Sequence, residues 1–218
     1  MMCETLFPSK VKIQGSSQGF ITPFGMTGKQ ISNLMSNDYH FTTHWLIPNT
    51  TVEEISDILS NGPDLARWWP SVYLGVTELE PGAPRTGVGK VIDLYTKGWL
   101  PYTLRWQFRI TENNSPHGFS LEAWGDFVGR GVWTFEQNGD AAHVTYDWNI
   151  QAEKPLLRYL SFIMKPIFSA NHVWAMKKGE ESLLLELARR HSKTPEEAAR
   201  VPPPPGPAFA WLAQTSKI

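Results

Sequence analysis

The stretch AHVTYDWNIQAEKPLLRYLSFIMKPIFSANHVWAMKKGEESLLLELARR, residues 142–190, changes its period part-way along. Up to residue 150 apolar side chains recur at every second position. Val144, Tyr146, Trp148 and Ile150 share one face, and His143, Thr145, Asp147 and Asn149 share the other, the alternation of a half-buried strand. After Pro155 the repeat lengthens to about 3.6 residues, that of an amphipathic helix. The spacing predicts a short helix to Met164 and a longer one from Pro166 to about Arg190, since proline is well tolerated at a helix's first position. A strand running into a long terminal helix is the pivot of the fold.

Working upstream, strand candidates occupy 72–79, 88–95, 100–110, 119–125 and 131–137, ahead of 142–150. Their separators carry turn chemistry: Pro81-Gly82-Ala83-Pro84, Lys97-Gly98, Asn113 to Gly118, Gly125-Asp126 through Gly129, and Asn138-Gly139. In the third candidate Leu104, Trp106, Phe108 and Ile110 share one face, which leaves Arg105 and Arg109 toward solvent. Earlier still, Tyr39 to Ile47 reads as a strand, with Phe41 and Trp45 expected inward. Thr50 with Glu53 reads as a capping box opening a short helix through Leu59, and a second short helix covers Asp64 to Trp69. This order is α+β: a curved seven-stranded antiparallel sheet, two short helices after its first strand, and a long C-terminal helix over the concave face.

The domain spans residues 39–191. Residues 1–38 are rich in Ser, Thr, Gly and Asn, with no acid between Glu4 and Asp38, and read as a disordered tail. Met35 stands just before the first periodic segment, so translation starting at Met35 is an alternative to Met1. Residues 192–218 form a proline-rich tail through Pro202, Pro203, Pro204 and Pro205. It reads as a stiff solvated segment, or as a docking peptide for a protein partner, with Phe209 and Trp211 able to fold back.

Composition excludes several classes. The net charge is -1, without any local Lys/Arg cluster, so no nucleic-acid partner is expected. The only cysteine is Cys3, which rules out a disulfide framework and a thiolate zinc site. No apolar run is long enough to span a bilayer, no secretory signal is present, and a cytoplasmic location is expected. His40 and His44 lie four residues apart on one strand, about 13 Å, too far to share an ion. No nucleophile elbow, phosphate loop or HExxH motif occurs. Neither a metal nor a cofactor is expected. The anomaly is ten tryptophans, eight of them between Trp45 and Trp148.

On the long helix, taking His172 as reference at about 100° per residue, Phe168, Ala175, Met176, Gly179, Leu183 and Leu187 fall on one stripe. His172 is therefore a polar point on an apolar face. One reading is a core histidine bonded to a strand carbonyl or tyrosine; the other is a ligand-facing imidazole. Gly179 costs roughly 1 kcal/mol in helix propensity and suits a helix lying over a hollow.

The domain resembles the helix-grip superfamily, which includes steroidogenic-acute-regulatory lipid-transfer (START) domains, birch-pollen-allergen-like proteins and polyketide cyclase/dehydrase proteins (SRPBCC). The resemblance rests on the element order, on Ile47 to Ile55, on Trp68-Trp69-Pro70, and on three blocks: Lys97 to Tyr102, Gly125 to Trp133, and Asn171 to Met176. It implies a sheet gripping the C-terminal helix around an apolar ligand tunnel, but not catalysis, because members include carriers as well as enzymes. No established cyclase catalytic set maps onto this chain.

Three functions follow. The first is binding, as carrier or sensor, of a small apolar or aromatic ligand such as a lipid, isoprenoid, quinone or polyketide. Trp45, Trp68, Trp69, Tyr95, Trp106, Phe108, Tyr146, Trp148, Phe168, His172 and Met176 would line the site. The second is a cyclase or dehydratase with His172 as general base and Tyr102 or Tyr146 as proton donor. In that scheme Asp126 would orient ligand or water; its plainer role is a turn residue. The third is a protein-interaction module using the proline tail.

Overall fold

In the computed structural model, residues 11–12, 38–152 and 155–209 are described, with side chains except at 11–12 and 152–165. The sheet begins at a two-residue strand, β1 (Val11–Lys12), laid antiparallel on β2 (Asp38–Pro48). Two short helices follow, α1 (Val52–Leu59) and, after a single 3-10 turn at Gly62–Asp64, α2 (Leu65–Trp68). Then come β3 (Tyr73–Glu80), β4 (Val91–Lys97), β5 (Thr103–Asn113), β6 (Gly118–Gly125), β7 (Phe127–Asn138) and β8 (Ala141–Ala152). The last described elements are α3 (Pro155–Arg190) and the short α4 (Pro195–Arg200). The strand order is β1-β2-β8-β7-β6-β5-β4-β3, with every neighbouring pair antiparallel. The seven long strands and terminal helix are the expected helix-grip α+β fold, and β1 adds a short eighth strand at one edge.

Alternation sets which face is buried. On β2 the residues Tyr39, Phe41, Trp45 and Ile47 point inward, and on β8 Val144, Tyr146, Trp148 and Ile150 do the same. Arg105 and Arg109 are exposed and lie over the rings of Tyr95 and Trp124 at 4.7 and 5.9 Å. Phe168, Met176, Leu183 and Leu187 are the buried stripe of α3.

Three local expectations change. The capping box is Thr51 with Glu54, one residue later than Thr50 with Glu53. Both frames fit the pattern, but the Thr50 amide donates to the Asp140 carbonyl at 3.2 Å, which ties residue 50 to the β7–β8 turn and leaves the cap to Thr51. Second, α3 is one helix of 36 residues with Pro166 inside it, not two helices divided at Pro166. An interior proline forfeits one backbone donor, a local loss that a long packed helix tolerates. Third, the glycines after Asp126 lie within β7 and are not a loop. A Cβ at Gly129 would stand 2.1 Å from the Asn149 carbonyl oxygen, and one at Gly131 2.9 Å from both Tyr146 Oη and the Trp148 ring. Glycine here serves close approach.

The tail beyond α3 turns back on the domain. Arg189 donates to the Pro202 carbonyl at 2.6 Å, the Lys97 ammonium donates to the Ala208 carbonyl, and Lys97 Nζ lies 5.6 Å from the centre of the Phe209 ring. Trp211, Met35 and most of the N-terminal tail fall outside the described residues. No helix among the described residues is long and apolar enough to cross a membrane.

Candidate functional site

Between the concave face of the sheet and α3 lies a cavity of about 130 Å3. Its walls are mostly rings, positioned by strand alternation on one side and the helix stripe on the other. Trp106 stands 5.8 Å from Trp148 and 5.9 Å from Phe127, and Trp148 continues to Tyr146 at 5.6 Å. Tyr146 is backed by Trp133, stacked at 4.0 Å, whose presence fixes the phenol plane. On the helix side Phe168 meets Tyr39 and Tyr102 edge-on, each at 6.3 Å. Trp106 has its indole N–H satisfied by Thr96 Oγ1 at 3.0 Å.

His172 projects from α3 onto this wall. Its ring stacks on Phe41, with centroids 4.1 Å apart and an interplanar angle of 13°. Its Nε2 is shut off from solvent and has no hydrogen-bond partner among the described residues. The expected strand carbonyl or tyrosine partner is therefore not engaged at that atom. Burial pulls the imidazole pKa from 6.5 down to about 3, so the ring is neutral at physiological pH. The indole N–H of Trp69, another lining residue, is likewise buried without a partner among the described residues.

The phenols are suppressed as acids. Burial pushes Tyr39 up to about 12 and raises Tyr73 and Tyr146 further. Tyr102 is raised by burial first and by the nearby Tyr39 second. Lys97, at the end of β4, moves the other way, because burial disfavours its charge while the neighbouring Tyr95 opposes the shift.

Of the residues singled out in the sequence, Trp69, Tyr102, Trp106, Tyr146, Trp148, Phe168, His172 and Met176 line the cavity. Trp45, Trp68 and Phe108 are packed in the core outside it, and Tyr95 sits beneath Arg105. The cavity also takes Tyr39, Phe41, Tyr73, Lys97, Phe127 and Asn171, which the sequence reading did not assign. Alternation with Trp45 would have found Phe41, whereas Lys97 and Asn171 depend on long-range packing. Asn171 Oδ1 accepts the Leu100 amide at 3.3 Å, and a Cβ at Gly98 would lie 2.1 Å from the same oxygen. That contact closes the turn after β4 onto α3.

Two further residues have structural work. Asp126 bridges strands, accepting the Arg105 amide on Oδ2 at 2.9 Å. The space left by Gly179 is filled, not hollow: a Cβ there would be 2.2 Å from Trp69 Cζ2. His40 bonds Asp147 at 2.9 Å, and among the described residues no group of three His, Cys, Asp or Glu could hold a metal ion.

Comparison with known proteins supports the architecture alone. No protein-family profile and no curated protein matches the chain. Among solved structures, the Zhui aromatase/cyclase from Streptomyces sp. R1128 superposes with a TM-score of 0.53 at 15% identity, covering 72% of this chain and 97% of its own. The protein TTHA0849 from Thermus thermophilus gives 0.52 at 16% identity, covering 67% and 98%. This chain has the helix-grip fold.

Proposed function

We propose that the protein binds a small, flat apolar ligand in the cavity between sheet and α3, as a carrier or sensor. The observation that carries this reading is the neutral His172 imidazole, with Nε2 unpartnered among the described residues on an aromatic wall. A buried polar atom without a partner costs about 1–3 kcal/mol, a penalty that a ligand hydrogen bond removes. An apolar cavity of about 150 Å3 suffices for a benzene-sized guest, so the space of about 130 Å3 suits a single ring, with a second ring or any extension emerging at the wall's edge. Trp106 and Trp148 offer the stacking surfaces.

A catalytic reading has His172, Tyr102 and Tyr146 on the same cavity. Yet an imidazole pulled to about 3 is a weak base, and phenols raised by burial are weak acids. Both shifts disfavour proton abstraction and favour neutral hydrogen bonding.

The test is organic extraction of purified protein with mass spectrometry of the extract, paired with a titration of 2-naphthamide followed by tryptophan quenching. A co-purifying ring compound, or saturable quenching lost on filling the cavity, supports binding. An empty extract together with no quenching overturns it. Replacing His172 by Gln separates the readings: affinity should change by about 1 kcal/mol for a binder, while turnover should collapse for an enzyme.

A further inference from the structure

We propose that the ligand carries an anionic head, a carboxylate in its simplest form, bound by the Lys97 ammonium where the cavity wall meets the C-terminal tail. The proposal rests on the reading of the cavity as a ligand site. Lys97 is only 4% exposed, yet it has no acidic partner within ion-pair distance among the described residues. Among the described residues no Asp or Glu lines the cavity, and Lys97 is the only cationic side chain that does. Its ammonium donates to the carbonyl of Ala208 and lies beside the Phe209 ring, with Tyr95 the other group that favours its charge. A carbonyl dipole and a ring quadrupole offset the loss of water around an ammonium only in part, whereas an anion offsets it directly.

Position restricts where that contact can form. Lys97 is the last residue of β4, and alternation sets it with Tyr95, away from the cavity-lining Thr96. Its ammonium can meet a ligand only around the strand's end, beside the lining residues Gly98 and Tyr102, so a ligand would place its rings inward and its head at that end. The partner it would displace is a tail carbonyl, not part of the sheet or of α3. Burial holds the Lys97 pKa below its ordinary value, and an anion beside the ammonium would raise it again.

Two probes with one ring system isolate the charge: 2-naphthoate and its neutral isostere 2-naphthamide, titrated calorimetrically into the full chain. The expected result is naphthoate bound roughly tenfold more tightly by the unaltered protein, as for a hydrogen bond to a charged group. In Lys97→Met, whose folding is checked by its melting curve, that preference should vanish. Lys90→Met, on a lysine paired with Glu78 at 3.4 Å, should keep the preference. Naphthamide binding without any naphthoate preference overturns the anionic head but leaves the cavity reading intact. So does a preference that survives in Lys97→Met. Binding of neither probe overturns both.

Discussion

At the scale of single residues, the chemistry is governed by burial. His172 refuses a proton until about pH 3, whereas in the unfolded chain it accepts one near 6.5. Between those values the unfolded state binds more protons, so stability falls as pH drops from about 6.5 toward 3. Replacing His172 by Phe removes this contribution. Melting curves for the two proteins at pH 7, 6, 5 and 4 should show the unaltered protein losing ground to the variant as acid is added. Parallel curves would mean that the folded imidazole protonates normally. The same neutrality explains why a histidine can stack 4.1 Å from Phe41 in the middle of an apolar stripe.

At the scale of elements, fit between α3 and its neighbours decides the cavity's shape. Gly179→Ala gains roughly 1 kcal/mol of helix propensity, but its methyl would press on Trp69 at 2.2 Å. The net expected effect is a loss of about 1–3 kcal/mol, read by chemical denaturation. A stabilised variant would show that Trp69 swings aside easily. Higher on α3, the buried Glu186 carboxylate receives Arg67 at 2.8 and 2.7 Å, with Arg189 at 3.3 Å and Arg190 at 3.1 Å. Burial raises that carboxyl, but the bonds from Arg67 and Arg190 outweigh it and leave the pKa below the ordinary value. The clamp ties α2, and hence Trp68 and Trp69, to the helix. Glu186→Gln should cost about 2 kcal/mol in urea unfolding; no loss would make the clamp ornamental.

Elements are also where the sequence was most legible. Period-two alternation in 103–110 and 142–150 fixed the inward faces of β5 and β8, and the helical stripe placed Phe168, His172 and Met176 against them. What failed were local signals with two solutions. The Thr-Thr-Val-Glu-Glu run permits two capping frames, glycines mark both turns and close strand approach, and proline both starts and interrupts helices. Of the rings, Trp45 and Phe108 share faces with lining residues, yet they pack into the core because depth along a strand is not encoded in alternation.

For the molecule as a whole, the described residues of the sheet and α3 leave a cavity of about 130 Å3 between them. Ala175 lies on that boundary, half-buried and facing the cavity from α3. Ala175→Phe should occupy the space, abolish 2-naphthamide quenching, and change the melting temperature by only a few degrees, since added contacts offset some overpacking. Retained quenching would place the probe elsewhere. The tail contributes to the same closure: from Arg189 it passes Pro202 and reaches Lys97 at Ala208.

That return path has a practical corollary. Phe209 is 47% exposed beside the Lys97 ammonium, and the only native thiol is Cys3. With Cys3 replaced by serine, a Phe209→Cys thiol could carry an environment-sensitive dye. Any guest that shifts the Ala208–Phe209 segment off the β4 end would then change the dye's colour, turning the protein into its own optical reporter.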